Sequence, residues 1–112
     1  MATGIPDFSY PFSGLSVGIG NVSASGFIGA LTSEKIDASG GAITRTLPLS
    51  AGTRGSRFKV QKVDASANAV SLITQGSDVI RCSRGTVTQV DFYSQFEYIW
   101  VESDGDGHWD EG

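Results

Sequence analysis

Apolar and polar side chains alternate along most of the chain from Ala42 to Trp109. Ile43, Leu47 and Leu49 are followed by Phe58 and Val60, then by Val70 and Leu72. A period of two is the spacing of a half-buried strand, because successive side chains point to opposite faces. Residues 57–63 are the clearest example: Phe58 and Val60 alternate with Arg57 and Lys59, giving one dry and one wet face. The same reading predicts strands over residues 42–49, 69–74, 78–81, 86–90 and 95–102. Runs rich in Gly, Ser, Asp and Asn at 50–53, 64–68, 75–78, 83–85 and 103–107 supply the turns between them. Short strands at such spacing predict an all-β fold, a small antiparallel sandwich of jelly-roll type or a small barrel. Pro48 cannot donate a ladder hydrogen bond, so it belongs at an edge or a strand end. In the last strand Phe96, Tyr98 and Trp100 stand against Ile99 and Val101. Two apolar faces predict a central strand or a subunit contact, and these three aromatics are the expected packing residues there.

Residues 1–40 read differently, and a boundary there divides the chain into 1–40 and a β domain, 41–112, with an acidic C-terminal turn. The first segment is rich in Gly, Ser and Ala, yet carries more aromatics than a plain linker needs. Pro6 and Pro11 keep their predecessors extended. Leu15, Val17 and Ile19 alternate with Ser16 and Gly18. The expectation is an extended arm that packs on another surface, or a strand added to its own domain. Phe8, Tyr10, Phe12, Leu15, Val17 and Ile19 are the candidate partner-binding residues. Residues 26–31 could start a helix, and residues 32–35 have some capping character. Gly29, Gly40 and Gly41 argue against a long one.

Composition narrows the class. A chain of 112 residues is one domain, with 15 glycines and only 18% charged residues. With 39% hydrophobic residues and a net charge of −4, disorder is not expected. No apolar run reaches the ~18–20 residues of a membrane span, and no signal-peptide pattern opens the chain. The single cysteine, Cys82, leaves no internal disulfide framework. Charge is polarised along the sequence. Residues 41–90 hold seven Lys/Arg and two acids, whereas residues 91–112 hold seven acids and no Lys/Arg. A basic middle and an acidic end could attract each other within one subunit or between neighbours, although exposed pairs contribute little.

The candidate chemistry is sparse. The loop carrying Asp104, Asp106, His108, Asp110 and Glu111 has carboxylates and glycines of the kind calcium favours. Its spacing departs from an EF-hand, with His108 where a third ligand is needed, so a tight turn is expected and no metal residue is assigned. His108 is the only histidine, and no glycine-elbow serine accompanies it. Arg81 and Arg84 flank Cys82, and this environment could lower a thiol pKa; a small packed residue is the plainer reading. Gly14, Gly18 and Gly20 lack the lysine of a phosphate-binding loop and the strand–turn–helix context of a dinucleotide site. Arg54, Arg57, Lys59 and Lys62 surround Phe58, but Phe58 points away from Arg57 and Lys59 in a strand. No mixed basic–aromatic platform for nucleic acid is therefore expected, and the sequence pI of 4.7 agrees. No catalytic residue, cofactor or enzymatic activity is predicted.

The order of these segments resembles small β modules of tailed-bacteriophage virion proteins: tail fibres, tailspikes, head fibres and capsid decoration proteins. The residues that carry the resemblance are Leu47-Pro48, Phe58 to Val63, the turn Asp64-Ala65-Ser66-Ala67-Asn68 with Ala69-Val70, Gly76-Ser77-Asp78-Val79-Ile80, and Asp106-Gly107-His108-Trp109. It covers about residues 43–109 and rests on turns and strands. It implies a homotrimer, made in the bacterial cytoplasm and carried on the capsid exterior. The expected role is that of a decoration or cement protein holding the major capsid protein through its N-terminal arm. A tail-fibre module recognising a host surface glycan, with Tyr93, Trp100 and Trp109 as stacking rings, is the other role the resemblance implies. Family modules often continue with a final strand after the Asp-Gly-x-x-Trp turn. Here the sequence stops soon after Trp109, at Gly112, and the expectation is a free-standing small protein with an acidic tail.

Overall fold

The computed structural model describes residues 19–28 and 32–112. Phe8, Tyr10, Phe12, Leu15 and Val17 lie outside them. The described residues form no helix; they form β1 (Ile19–Val22), β2 (Gly26–Phe27), β3 (Ser33–Ile36), β4 (Ile43–Thr46), β5 (Arg57–Lys62), β6 (Val70–Ile73), β7 (Val79–Cys82), β8 (Gly85–Val87), β9 (Gln89–Phe92), β10 (Tyr98–Ser103) and β11 (His108–Glu111). They make two sheets. The larger has the order β1-β3-β5-β10-β11-β7-β8, the smaller β2-β4-β6-β9.

The fold is thus the expected all-β sandwich, and the two separate sheets do not close into a barrel. Both sheets are mixed, with parallel pairing beside the antiparallel pairing. Up to β6 the chain changes sheet at every connection. Each strand therefore lies parallel to the one two before it: β1 beside β3 beside β5, and β2 beside β4 beside β6. This makes three stacked coils of a short two-sided solenoid. In the larger sheet Ile19 lies beside Ser33, and Ser33 beside Lys59. In the smaller sheet Gly26 lies beside Arg45, and Ile43 beside Val70. The step along the chain from one coil to the next is thus longer at the second step than at the first. Strands β10 and β9 reverse on this stack, β10 antiparallel to β5 and β9 to β6. Tight turns join β7 to β8 and β10 to β11, and β11 turns back to pair in parallel with β7. Period-two patterning is the same for both pairing directions, so alternation did not distinguish a hairpin from a corner between sheets.

Two sequence expectations change. Residues 26–27 are strand β2, and residues 33–36 are strand β3, with no helix at either place. Glu34 and Ile36 are buried while Ser33 and Lys35 are half-buried; pairing on both sides overrides the capping composition. The described part of segment 1–40 thus supplies strands to both sheets, and Ile19 opens β1. Pro48 lies past the end of β4, as a missing donor requires.

The core lies between the sheets. Ile36, Val60, Ile80, Val101 and Trp109 face Leu47, Val70, Leu72, Val90 and Phe92. Trp109 is fully buried, its ring centroid 5.6 Å from that of Phe58, and its indole nitrogen donates to the Pro48 carbonyl at 3.2 Å. Two ion pairs share this interior. Arg45 on β4 reaches across to Glu34 on β3 through two 2.8 Å bonds, and also donates to the carbonyls of Ala24 and Phe27 in the preceding coil. Lys62, with no exposed surface, donates to Asp64 at 2.8 Å. Asp64 accepts from the backbone of Ala38 at 2.7 Å, and Asn68 donates to the Ala38 carbonyl at 2.8 Å.

A candidate interaction face

The outer face of the larger sheet is where reactive or adhesive groups collect. Strand alternation turns Lys35 on β3, Arg57, Lys59 and Gln61 on β5, and Tyr98, Trp100 and Glu102 on β10 away from the core. Register then sets them in rows. Asn21, Lys35, Gln61 and Tyr98 lie across the sheet in one row; Ser33, Lys59 and Trp100 lie in the next. The Arg57 guanidinium stands 4.9 Å from the Trp100 ring centroid, and the Lys59 ammonium 4.8 Å from that of Tyr98. The result is a ladder of cation, ring, cation, ring. Each step at a solvated site is worth about 0.5–1 kcal/mol. Lys35 and Lys59 make no ion pair among the described residues, and Arg57 only approaches Glu102, at 3.9 Å.

The face continues into the turn before β10. Phe96 is 60% exposed and Tyr98 55% exposed, and Trp100 is half-buried, so none of the three is core. Phe96 has φ 70°, a left-handed backbone that a bulky side chain adopts at a cost on the order of 1–3 kcal/mol. It is held there by its amide, which donates to the Lys62 carbonyl at 2.7 Å, and by its carbonyl, which accepts from Gln61 at 3.0 Å. The Glu97 carboxylate ties the turn by accepting from the amides of Tyr93 and Ser94. The turn thus holds Phe96 in water at a backbone cost.

Two clefts flank the ladder. One, of about 380 Å³, is lined by Asn21, Val22, Ser23, Lys35, Asp37 and Val63. The other, of about 240 Å³, is lined by Glu102, Ser103, Asp104, Asp110, Glu111 and Gly112 and is acidic. The face therefore runs from cationic at β3 and β5 to anionic at β10 and β11. Along the anionic side Arg81 bonds Asp110 at 2.5 and 2.8 Å and Asp104 at 3.3 Å. Burial would raise the Asp104 carboxyl, but the amides of Asp106 and His108 and the His108 ring, 2.5 Å away, outweigh it and hold it down to about 2.

Other candidates from the sequence are placed elsewhere. Trp109 is in the core and cannot stack on a ligand. Ser50, Asp104 and His108 come together but not as a triad. Ser50 is fully buried, and its hydroxyl meets Ser103 at 3.0 Å, the Gly107 amide at 3.2 Å and the His108 carbonyl at 3.3 Å, all structural bonds of the β10–β11 turn. No group of three or more metal-ligating side chains occurs among the described residues. Cys82 is half-buried, its sulfur 3.6 Å from the Gly85 carbonyl. Lys62 leaves the predicted basic cluster for the interior. Phe58 is buried, facing away from Arg57 and Lys59 as its position in the strand predicts. The rings beside those cations come from another strand, because β10 brings Tyr98 and Trp100 to the side of β5 that bears Arg57 and Lys59. Each strand's own alternation was readable; their adjacency was not. Among the described residues, no helix is long and apolar enough to cross a membrane. Comparisons with family models, curated proteins and solved structures find no match.

Proposed function

We propose that this chain is a structural, non-enzymatic protein of a tailed-phage virion, a homotrimeric decoration protein that binds and stabilises the major capsid shell. The observation that carries the reading is the broad face of exposed rings and lysines without ion pairs, on a sheet with no catalytic cluster beside it among the described residues. Such a face suits contact with another macromolecule, since small-substrate sites are concave and enclosed. The phage assignment rests on the resemblance of residues 43–109, and shell binding is given to the apolar residues Phe8, Tyr10, Phe12, Leu15, Val17 and Ile19. The test is co-sedimentation of the purified chain with undecorated capsids. The full chain should pellet with shells and raise their melting temperature; a chain lacking residues 2–18 should stay folded and remain in the supernatant. Retained binding by the shortened chain would overturn the arm assignment. A fibre-type module is the second reading, supported by the exposed Tyr93, Phe96 and Tyr98, rings on which sugars could stack. Adsorption to host cells or their polysaccharide, without capsid binding, would favour it.

A further inference from the structure

The proposed trimer needs an interface, and we infer that it is the outer face of the larger sheet, with the cationic half of one copy set against the acidic half of the next. The inference rests on the homotrimer reading and adds the surface and its polarity to it. A ring of identical chains has head-to-tail contacts, so every copy must carry two different, complementary patches. This face carries both. Lys35, Arg57 and Lys59 stand on β3 and β5, while Glu102, Asp104, Asp110 and Glu111 line the cleft by β10 and β11; Arg81 bonds Asp104 and Asp110 there, and four carboxylates against one guanidinium leave the patch acidic. Arg57 and Glu102 lie opposite one another on neighbouring strands, 3.9 Å apart, so the halves meet at the β5–β10 seam. Their outer members, Lys35 on β3 and Asp110 on β11, are three strand steps apart, about 14 Å at about 4.8 Å per step, and these can meet different neighbours.

Between the halves stand Tyr98 and Trp100, with Phe96 beyond them. In a threefold ring these rings lie toward the axis, where three copies bury them together. Aromatic anchors at the centre and charges at the rim are the usual anatomy of a protein contact. The smaller sheet offers no such charge pairing: among the described residues, its outward strand positions hold Phe27, 67% exposed, with Thr44, Thr46, Ser71, Ile73, Gln89 and Asp91, and no lysine or arginine.

The test is solution mass of the full chain by light scattering, with circular dichroism to confirm folding. The unmodified chain should have the mass of three chains at low salt and shift toward one chain in molar salt. The K35E/K59E variant should be a folded monomer. The K35E/K59E/E102K/D110K variant, which reverses both halves, should recover the trimer. A folded K35E/K59E trimer, or a trimer indifferent to salt, would overturn this interface and leave the homotrimer standing. A reversed variant that is folded but monomeric would overturn it equally. An unmodified chain that is monomeric at all salt concentrations would remove the homotrimer reading itself. The salt series needs no variant, so the outcome stands even if a substitution disturbs folding.

Discussion

The parallel stack of β1 to β6 and the second half, β7 to β11, where hairpins predominate and β11 pairs β7 in parallel, fix their strands in different ways. In the second half, hairpin register comes from short local turns, such as the one that joins β10 to β11, and from packing around Trp109. Its ion pairs, Arg81 with Asp110 and Arg84 with Glu97, are on the surface. In the stack, partners such as Ser33 and Lys59, or Ile43 and Val70, are separated by a whole coil of chain, and no short turn fixes them. There the chain buries charge. Arg45 bonds back to Ala24 and Phe27 in the coil before it, and Asp64 and Asn68 bond back to Ala38. A one-residue slip in a strand exchanges its faces; in this stack it would also leave a buried charge without a partner. The same Arg–carboxylate chemistry thus specifies register inside and does little outside.

Breaking the inner pair should have the largest effect. Arg45→Ala leaves Glu34, 3% exposed, without a partner and should cost about 3–5 kcal/mol, read from the urea midpoint. Replacing both partners, Glu34→Leu with Arg45→Met, should recover most of that loss. A double variant no better than the single one would show that the carbonyls of Ala24 and Phe27, and not the carboxylate, carry the clamp.

The Lys62–Asp64 clamp sharpens the comparison through pH. Burial raises the Asp64 carboxyl, but hydrogen bonds from Lys62, Ser66 and the amides of Ala38 and Ser66 prevail, so its pKa falls well below the usual 3.8. A carboxyl depressed in the folded state stabilises above its unfolded pKa and loses that contribution as pH falls toward the folded value. Stability should therefore be level near neutrality and decline below about pH 3.8, with Asp104 contributing down to about 2. Asp64→Asn should cost roughly 1–3 kcal/mol at neutral pH and flatten the acid limb. Equal acid sensitivity in the variant and the parent would remove Asp64 from this account.

Arg81→Ala should give the smallest change, within about 1 kcal/mol and vanishing in high salt, because Arg81 and Asp110 are both largely solvated. A loss as large as that of Arg45→Ala would erase the distinction between the two halves.

These differences bear on what the sequence made legible. Strands β5 and β10 were readable because each is long for this fold and alternates cleanly. Strand β2, only Gly26 and Phe27, has no period to read. The parallel stacking was hidden because corners between sheets use the same Gly, Ser and Asp residues as hairpins. Lys62 was assigned to water on its charge, and only the nearby Asp64, folded under Ala38, makes its burial tolerable. The interaction face was half legible. Tyr98 and Trp100 share a parity, as do Arg57 and Lys59, but their meeting depends on a pairing between strands with four others between them in the chain.

The stacked coils also bear on how such a chain can change over generations. The stretch from Ser33 to Lys59 in one sheet, like that from Ile43 to Val70 in the other, is one full circuit of the stack. An inserted segment of that extent adds one rung and leaves the cross-section as it was. The first circuit, from Ile19 to Ser33 and from Gly26 to Arg45, is shorter, so the rung tolerates tighter corners. Duplication or loss of a coil would then lengthen or shorten the prism while every copy kept its neighbours, provided that the inserted rung brought its own buried clamp.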